Sequence, residues 1–189
     1  MRAEDAPDDA LVEAAVADDR RALEVLLERH ADRLYGVCLR VLADREDALD
    51  ATQEALIAVT RGLARFDRRS RFTTWSYRVA VNAALDVARR RRRAPLPSEP
   101  ISDPVSAAPP IDDRVAAQID VTDALALVPL EQRVAIVLRD AYDLEYAEIA
   151  EILDVPLGTV RSRISRGRKA LAEALGNRSE DPERPRSER

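Results

Sequence analysis

The chain has 189 residues, 46% of them hydrophobic and 34% charged, which is typical of a globular protein of one or two domains. Only 5 glycines and 7 aromatic residues are present, a composition that favours helix over sheet. A single cysteine excludes an internal disulfide, and with a single histidine it leaves no plausible metal site, so we expect no metal or cofactor. No apolar run approaches the ~18 residues of a membrane span, and the acidic N-terminus is unlike a signal peptide. These features predict a cytoplasmic protein.

The net charge of -5 is unevenly distributed along the chain. Residues 61–93 carry a net charge of +9 and residues 155–178 carry +5, whereas residues 1–60 and 94–154 are strongly acidic. Two basic segments within an acidic protein predict two separate contacts with nucleic acid. We also expect the acidic segments to repel phosphate or to cover the basic ones, so that the free protein binds DNA weakly.

Residues 8–93 have the periodicity of a four-helix domain. A short helix around residues 11–16 opens the domain. Asp44 is predicted to cap the third helix, and Thr73 or Thr74 the fourth. The apolar positions of the last three helices are, in order, Leu23, Leu26, Leu27, Leu34, Val37, Cys38 and Val41; Leu49, Leu56, Ile57 and Leu63; and Val79, Ala80, Ala83 and Val87.

The composition changes after residue 93. Residues 94–111 contain six of the 11 prolines, which predicts a flexible, semi-extended linker between domains. Helical periodicity then returns, and residues 112–176 are predicted to form a second domain of four helices. Residues 177–189 are polar and contain prolines, so we predict a disordered tail. The predicted fold is therefore all-α, with two small helical domains joined by the linker.

The second domain contains the pattern of a helix-turn-helix at residues 145–176. A short amphipathic helix ends at Asp154, because aspartate tolerates the left-handed backbone of a tight turn better than most residues. The following helix is predicted to bury Val160, Ile164, Leu171 and Leu175, and to expose Arg161, Ser162, Ser165, Arg166 and Lys169. This basic face predicts a recognition helix. An ordinary helical hairpin is the alternative, but five of the nine residues 161–169 are basic.

The first basic segment is also rich in aromatic residues, including Phe66, Phe72 and Trp75 among arginines such as Arg71. Bases of single-stranded nucleic acid stack on such rings, at ~1–3 kcal/mol each, while arginines follow the backbone. The alternative is that Phe72 and Trp75 are core anchors of a small bundle that has few other aromatic side chains.

Over residues 8–176 the sequence resembles the extracytoplasmic-function sigma factors of the sigma-70 family. The motifs that carry the resemblance are Asp47-Ala48-x-Asp50-x-x-Gln53-Glu54; Trp75-x-x-x-Val79-Ala80-x-Asn82-x-x-x-Asp86-x-x-Arg89; Pro129-x-x-Gln132-Arg133; Tyr146-x-Glu148-Ile149-Ala150; and Gly158-Thr159-Val160-Arg161-Ser162-Arg163. The chain departs from the family pattern at four positions. Leu49 and Leu56 stand where relatives usually have Glu and Phe, and Asp143 and Asp154 stand where Gly is usual.

The resemblance implies core RNA polymerase and promoter DNA as partners, an anti-sigma factor as regulator, and no enzymatic activity. The implied polymerase-binding residues are Asp47, Asp50, Gln53 and Glu54, which share one helix face. The implied contacts to the −10 element are Phe66, Arg71, Phe72, Trp75, Asn82, Asp86, Arg89 and Arg90. The implied contacts to the −35 element are Arg161, Ser162, Ser165, Arg166 and Lys169. The Asn82 amide can hydrogen-bond to a base edge, and the Asp86 carboxylate can orient an arginine.

Three other functions are less consistent with the residues. A dimeric operator-binding regulator needs a dimerisation or sensor domain, which residues 8–93 do not resemble. An enzyme needs a phosphate loop, a metal cluster or a nucleophile with its base, and none is evident in the sequence. An all-helical adaptor without a DNA role does not account for the two basic segments.

Overall fold

The structure, a computed structural model, describes residues 5–93 and 121–179, and all regular structure in these ranges is helical. The helices are α1 (Asp8–Val16), α2 (Arg20–Leu42), α3 (Arg45–Gly62), α4 (Phe72–Arg93), α5 (Leu130–Ile136), α6 (Tyr146–Leu153) and α7 (Leu157–Ser179). Residues 121–126 are also helical, and a π-helical turn, Val137–Ala141, continues α5. The predicted linker at 94–111 lies outside the described residues. Within 5–93 and 121–179, no helix is both long and apolar enough to cross a bilayer.

Aspartate side chains cap two of the four helices of the N-terminal domain, α2 and α3. Asp44 caps α3 as predicted, since its carboxylate accepts a hydrogen bond of 3.1 Å from the backbone N–H of Asp47. The predicted cap at Thr73 or Thr74 is wrong, because α4 already begins at Phe72. The Thr74 hydroxyl instead donates to Glu148 in the second domain, at 2.9 Å.

Small side chains form the interface that α3 makes with its neighbours. Its fully buried residues include Ala48, Ala51 and Ala55, and α4 contributes buried alanines of its own. Alanine lets helix axes approach closely, towards the lower end of the ~8–10 Å range. Of the leucine and isoleucine positions predicted from the sequence, Leu63 is buried just after α3 and Leu56 is half-buried against the core, but the other two are exposed. Leu49 is 60% exposed and Ile57 is 43% exposed.

An ion-paired cluster holds α1 against α2. The Asp8 carboxylate accepts from Arg29 and lies 2.7 Å from Nε2 of His30, which is almost fully buried. Burial lowers the pKa of His30, although Asp8 opposes this shift, so the imidazole is neutral at pH 7. The ring also lies edge-on to Phe72, with 5.0 Å between centroids, and so links this cluster to the start of α4.

In the C-terminal domain, α7 crosses α5 at Gly167. A Cβ atom at this position would lie 2.7 Å from Ile136 and 3.0 Å from the Gln132 carbonyl, so only glycine permits this backbone approach. Val160 and Ile164 are buried beside the crossing, as predicted. Sequence reasoning did not single out Gly167, because its role depends on the helix that it meets.

Two predictions about the far end of α7 are wrong. Leu175 is 36% exposed, and Ala174 takes the buried position next to it. The helix also continues to Ser179, three residues into the predicted tail, because one glycine at position 176 costs too little to end a helix that is already formed. The rest of the predicted tail lies beyond the described residues.

The two domains pack against each other through one continuous apolar core. The Tyr77 ring of α4 meets the Tyr142 ring that follows α5 in a T-shaped contact, with 5.0 Å between centroids. Arg133 of α5 is 9% exposed, and its guanidinium donates to the Ala126 and Val128 carbonyls and, at 2.9 Å, to the Val41 carbonyl in the last turn of α2. Arg133 therefore connects segments of the C-terminal domain to one another and also connects that domain to the N-terminal domain.

Candidate nucleic-acid interface

The aromatic residues of the first basic segment form one cluster at the start of α4. Phe66 lies 5.1 Å from Trp75 and 6.1 Å from Phe72, measured between ring centroids. Phe72 is 2% exposed, so it anchors the cluster and its ring is not available to a base, contrary to its predicted contact. Phe66 and Trp75 are half-buried and keep part of their surface in solvent. Gly62 makes room for the indole, since a Cβ there would lie 3.2 Å from it.

The loop between Phe66 and α4 exposes several arginines, of which two are engaged in ion pairs with other elements. Arg68 adopts a left-handed backbone, with φ of 58°, and pairs with Glu13 of α1 at 2.6 Å. Arg71 pairs with Glu148 of α6 at 3.4 Å, although its side chain is 76% exposed. The loop is therefore positioned by contacts with both domains.

The middle of α4 presents the predicted reading residues on one exposed face. Asn82, Asp86 and Arg89 are all exposed and follow one another at intervals of four and three residues. Asp86 accepts a hydrogen bond of 2.8 Å from Arg89, which is the orienting role expected of an aspartate near DNA. The Asn82 amide has no hydrogen-bonding partner among the described residues, so its donor and acceptor are both available to a base edge.

The last turns of α4 lie beside acidic side chains of α3. Arg90 pairs with Glu54 at 2.7 Å, and Arg91 pairs with Asp47 at 2.9 Å. The hydrogen bond and charge of Asp47 raise the pKa of Arg91. The structure therefore brings together two sets of residues that the sequence analysis treated separately. This contact spans more than 35 residues of sequence, and the sequence pattern gives no sign of it.

Beside these ion pairs, α3 exposes an apolar row flanked by acid. Leu49 and Ile57 are exposed two turns apart, with the exposed polar Gln53 between them and Asp50, which has no ion pair with any described residue, beside them. An exposed apolar row with a charged border is typical of a protein–protein interface. The sequence analysis implied a polymerase contact for Asp50 and Gln53 on this surface, but it placed Leu49 and Ile57 on a buried apolar stripe and so did not predict their exposure.

The helix-turn-helix consists of α6 and α7. Glu145 and Glu148 form a reciprocal capping box at the start of α6. Asp154 ends that helix in the left-handed conformation, with φ of 50°, and Asp143 has φ of 51°. Both aspartates thus adopt the backbone for which glycine is the usual residue, and the departure from the family pattern leaves the turn geometry intact.

The basic residues of α7 divide into two groups with different roles. Arg163 pairs with Glu131, and Arg168 pairs with Asp140, so both hold α7 against the preceding helical segment. The other face of the helix is exposed and carries every residue predicted for DNA contact, namely Arg161, Ser162, Ser165, Arg166 and Lys169. Arg161 and Arg166 have no ion pair with any described residue.

Comparison with known proteins identifies the two domains. Residues 26–94 match the family model Sigma-70 region 2, and residues 118–171 match Sigma-70, region 4. Over 172 residues the chain is 38% identical to the ECF RNA polymerase sigma factor SigM of Mycobacterium tuberculosis, covering 89% of this chain and 85% of that protein. Over 184 residues it is 33% identical to the RNA polymerase sigma-H factor of Pseudomonas aeruginosa, covering 89% and 93% respectively.

A solved structure shows the same fold. The sigma factor RpoE from Bartonella quintana, in complex with the anti-sigma factor NepR, superposes with a TM-score of 0.67 at 25% identity, over 79% of this chain and 94% of that chain. Both domains and their order along the sequence agree with those of the relatives. The chain therefore belongs to the extracytoplasmic-function sigma factors of the sigma-70 family.

Proposed function

We propose that the chain binds core RNA polymerase in the cytoplasm and directs it to promoters, which it reads and melts by binding alone, without catalysing a reaction. The observation that carries the proposal is the pair of exposed reading faces, on α4 and α7, in the two domains of a sigma-70 fold. Run-off transcription with purified core polymerase tests it. Transcripts that start at defined promoters only when the factor is present support the proposal, and the absence of such transcripts contradicts it.

The N-terminal domain is proposed to capture the −10 element as single-stranded DNA. Phe66 and Trp75 offer partly exposed rings for stacking, and Asn82 offers a free amide to a base edge. Stacking of ~1–3 kcal/mol per base offsets the few kcal/mol that unstacking a base step costs. Arg89, which pairs with Asp86 at 2.8 Å, is proposed to contact a backbone phosphate beside the same face.

We expect Asn82→Ala to change the preferred promoter sequence and Arg89→Ala to change the affinity for all promoters. Asn82→Ala should relax preference at one base, because a lost base-edge contact costs ~1–3 kcal/mol against the preferred base only. Arg89→Ala should weaken all promoters alike, because phosphate contacts carry no sequence information. Transcription from a library randomised across the −10 element measures both. A uniform loss from both variants would show that Asn82 is structural.

The C-terminal domain is proposed to place α7 in the major groove of the −35 element. The same residues also serve the alternative function, an operator-binding repressor. That alternative requires the free protein to bind a specific duplex tightly at physiological salt, whereas a sigma factor needs polymerase to do so. Gel shifts with and without core polymerase separate the two.

Recognition by α7 predicts opposite effects for Arg161 or Ser165 and for Lys169. Alanine at Arg161 or Ser165 should change which upstream sequences are preferred, by ~1–3 kcal/mol for a good bidentate contact. Alanine at Lys169, one turn or more further along, should lower affinity for all sequences and reduce the salt slope by about one unit. A promoter library randomised upstream is the measurement. If the Arg161 and Ser165 variants keep the wild-type preference, α7 is not the reader.

An anti-sigma factor is proposed as a further partner. The structurally similar RpoE was solved in complex with the anti-sigma factor NepR, and this chain superposes on that sigma factor over most of its length. Such a partner would have to compete with polymerase or DNA for the surfaces described above. Co-purification from the native cell tests this proposal directly.

A further inference from the structure

Helix α1 lies before residue 26, where the match to the region 2 family model begins, and none of the family motifs includes it. Its buried side chains Leu11 and Val12 nevertheless belong to the same apolar cluster as Phe72, and Phe66 and Trp75 pack against that cluster. Helix α1 therefore supports the aromatic residues at the start of the surface proposed to bind the −10 element.

The first polar side chain of α1, Asp8, is connected to the start of α4 through the buried His30. The Asp8 carboxylate lies 2.7 Å from Nε2 of His30 and accepts a hydrogen bond of 2.7 Å from Arg29 on the same helix, α2. The imidazole in turn meets the ring of Phe72 edge-on. These contacts fix the first residue of α4 relative to α1 and α2.

Further along α1, Glu13 holds the loop 66–71 itself. Its Oε1 accepts a hydrogen bond of 2.6 Å from Nη1 of Arg68, across 55 residues of sequence. Arg68 has a φ of 58°, and a residue other than glycine keeps this left-handed backbone only where its surroundings hold it there. The Asp67 carboxylate also accepts from the backbone N–H of Arg69, at 3.2 Å, but this local contact connects the loop to no other element.

We propose that Glu13 is a positioning residue for −10 recognition, which holds Arg68 and thereby sets how the loop 66–71 presents Phe66 beside Trp75. The inference rests on the proposed function. Glu13 is not itself a DNA contact, because a carboxylate repels phosphate, so its effect has to pass through Arg68. The side chains of the pair are 65% and 45% exposed, and such an ion pair shifts an equilibrium by about two- to fivefold. That is too little to affect the folding of the domain, but it is enough to change the population of one loop conformation.

Glu13→Gln in the full chain is the variant that tests this inference. With core polymerase and a promoter library randomised across the −10 element, the ratio of transcription from preferred and other sequences should fall by about two- to fivefold. The melting temperature should stay that of the wild type, because the side chain is exposed. Glu28→Gln is the matched control, since it makes the same change at an exposed glutamate of α2 that has no ion pair with any described residue. It should keep the wild-type preference.

A second variant tests whether Glu13 acts through Arg68. Arg68→Gln removes the other half of the ion pair and should lower the discrimination among −10 sequences at least as much as Glu13→Gln does. Adding Glu13→Gln to Arg68→Gln should then cause no further loss, because two residues that act through one contact are not additive. Additive losses would show that Glu13 acts independently of Arg68, which contradicts the inference.

The fluorescence of Trp75 measures the order of the loop in the free protein, without polymerase or DNA. Trp75 is the only tryptophan of the chain, and its ring lies 5.1 Å from that of Phe66, between centroids. Acrylamide should quench this fluorescence more strongly in Glu13→Gln than in the wild type. In about 1 M salt, where the screening length is about 3 Å, the two proteins should become alike, because the exposed ion pair is then screened. Glu28→Gln should match the wild type throughout.

The outcomes separate this inference from the function on which it rests. An unchanged −10 preference in Glu13→Gln would overturn the positioning role alone. So would an equal increase in transcription from all promoters, since Glu13 would then compete with DNA phosphates for Arg68. A wild-type factor that directs no promoter-specific transcription with core polymerase would overturn the proposed function, and with it the role of Glu13 in recognition, whatever the fluorescence of Trp75 shows about the loop.

Discussion

Replacing Asp50 and Glu54 with arginine should abolish binding to core RNA polymerase and leave the helical fold intact. Asp50 is exposed beside the apolar row of Leu49 and Ile57, and Glu54 lies one turn further along α3. Reversing charges at a desolvated interface leaves the partner's charges unpaired, which typically costs 2 kcal/mol or more and thus at least about 30-fold in affinity. An arginine at position 54 also repels Arg90, its ion-pair partner here. Co-purification with core polymerase measures the loss.

The matched control is the double change Glu24→Arg and Glu28→Arg. These two glutamates are exposed on α2, are also spaced by four residues, and alter the net charge by the same amount. The control should bind polymerase as the wild type does, and circular dichroism should show equal helix content for both proteins, because exposed substitutions usually cost under ~0.5 kcal/mol. Retention of polymerase by the Asp50 and Glu54 variant would remove α3 from the interface.

Val160→Asp should unfold the helix-turn-helix. Val160 of α7 is fully buried in the apolar core that α7 shares with α6, so an aspartate there would lie among apolar side chains. An uncompensated buried charge costs about 3–5 kcal/mol, a large part of the ~5–15 kcal/mol by which a domain is stable. Thermal unfolding followed by circular dichroism should show an early transition for this domain, and promoter-dependent transcription should be lost.

Arg161→Asp is the control for the introduction of an aspartate into α7. It places the same carboxylate one position further along, on the exposed face of α7, so stability should stay within about 0.5 kcal/mol of the wild type. DNA binding should still fall, since the change reverses a charge on the reading face. If both variants melted alike, the assignment of the buried and exposed faces of α7 would be wrong.

The face of a helix is predictable from sequence when large apolar residues mark it, as in α2, where Leu26, Leu34 and Val37 are buried as expected. It is not predictable when the interface is made of alanine. In α3 Leu49 and Ile57 are on the outside, while three of the five buried residues are alanines, Ala48, Ala51 and Ala55, which suit the closeness of the neighbouring helices. Amphipathic periodicity alone selects the opposite face for such a helix.

Motif spacing predicted which of the proposed DNA-contact side chains share an exposed helix face, since spacing along one helix fixes its faces. All five residues proposed for the −35 contact are exposed on α7, and Asn82, Asp86 and Arg89 share a face of α4. Contacts between distant segments were not predictable. The pairing of Arg91 with Asp47 and the fit of Tyr142 over Gly36 depend on how the helices meet, and no property of either residue alone indicates it.

The ion pairs between the end of α4 and α3 have a thermodynamic consequence under the proposed function. We expect polymerase to engage Glu54 and a DNA phosphate to engage Arg90, and these two side chains now neutralise each other, as Asp47 and Arg91 do. The partner that binds first has to break these internal ion pairs, and the second partner then binds without that free-energy cost. Linkage requires the benefit to be reciprocal, so polymerase raises the affinity for DNA by the same factor by which DNA raises the affinity for polymerase. The factor would therefore hold both partners together more firmly than it holds either one alone.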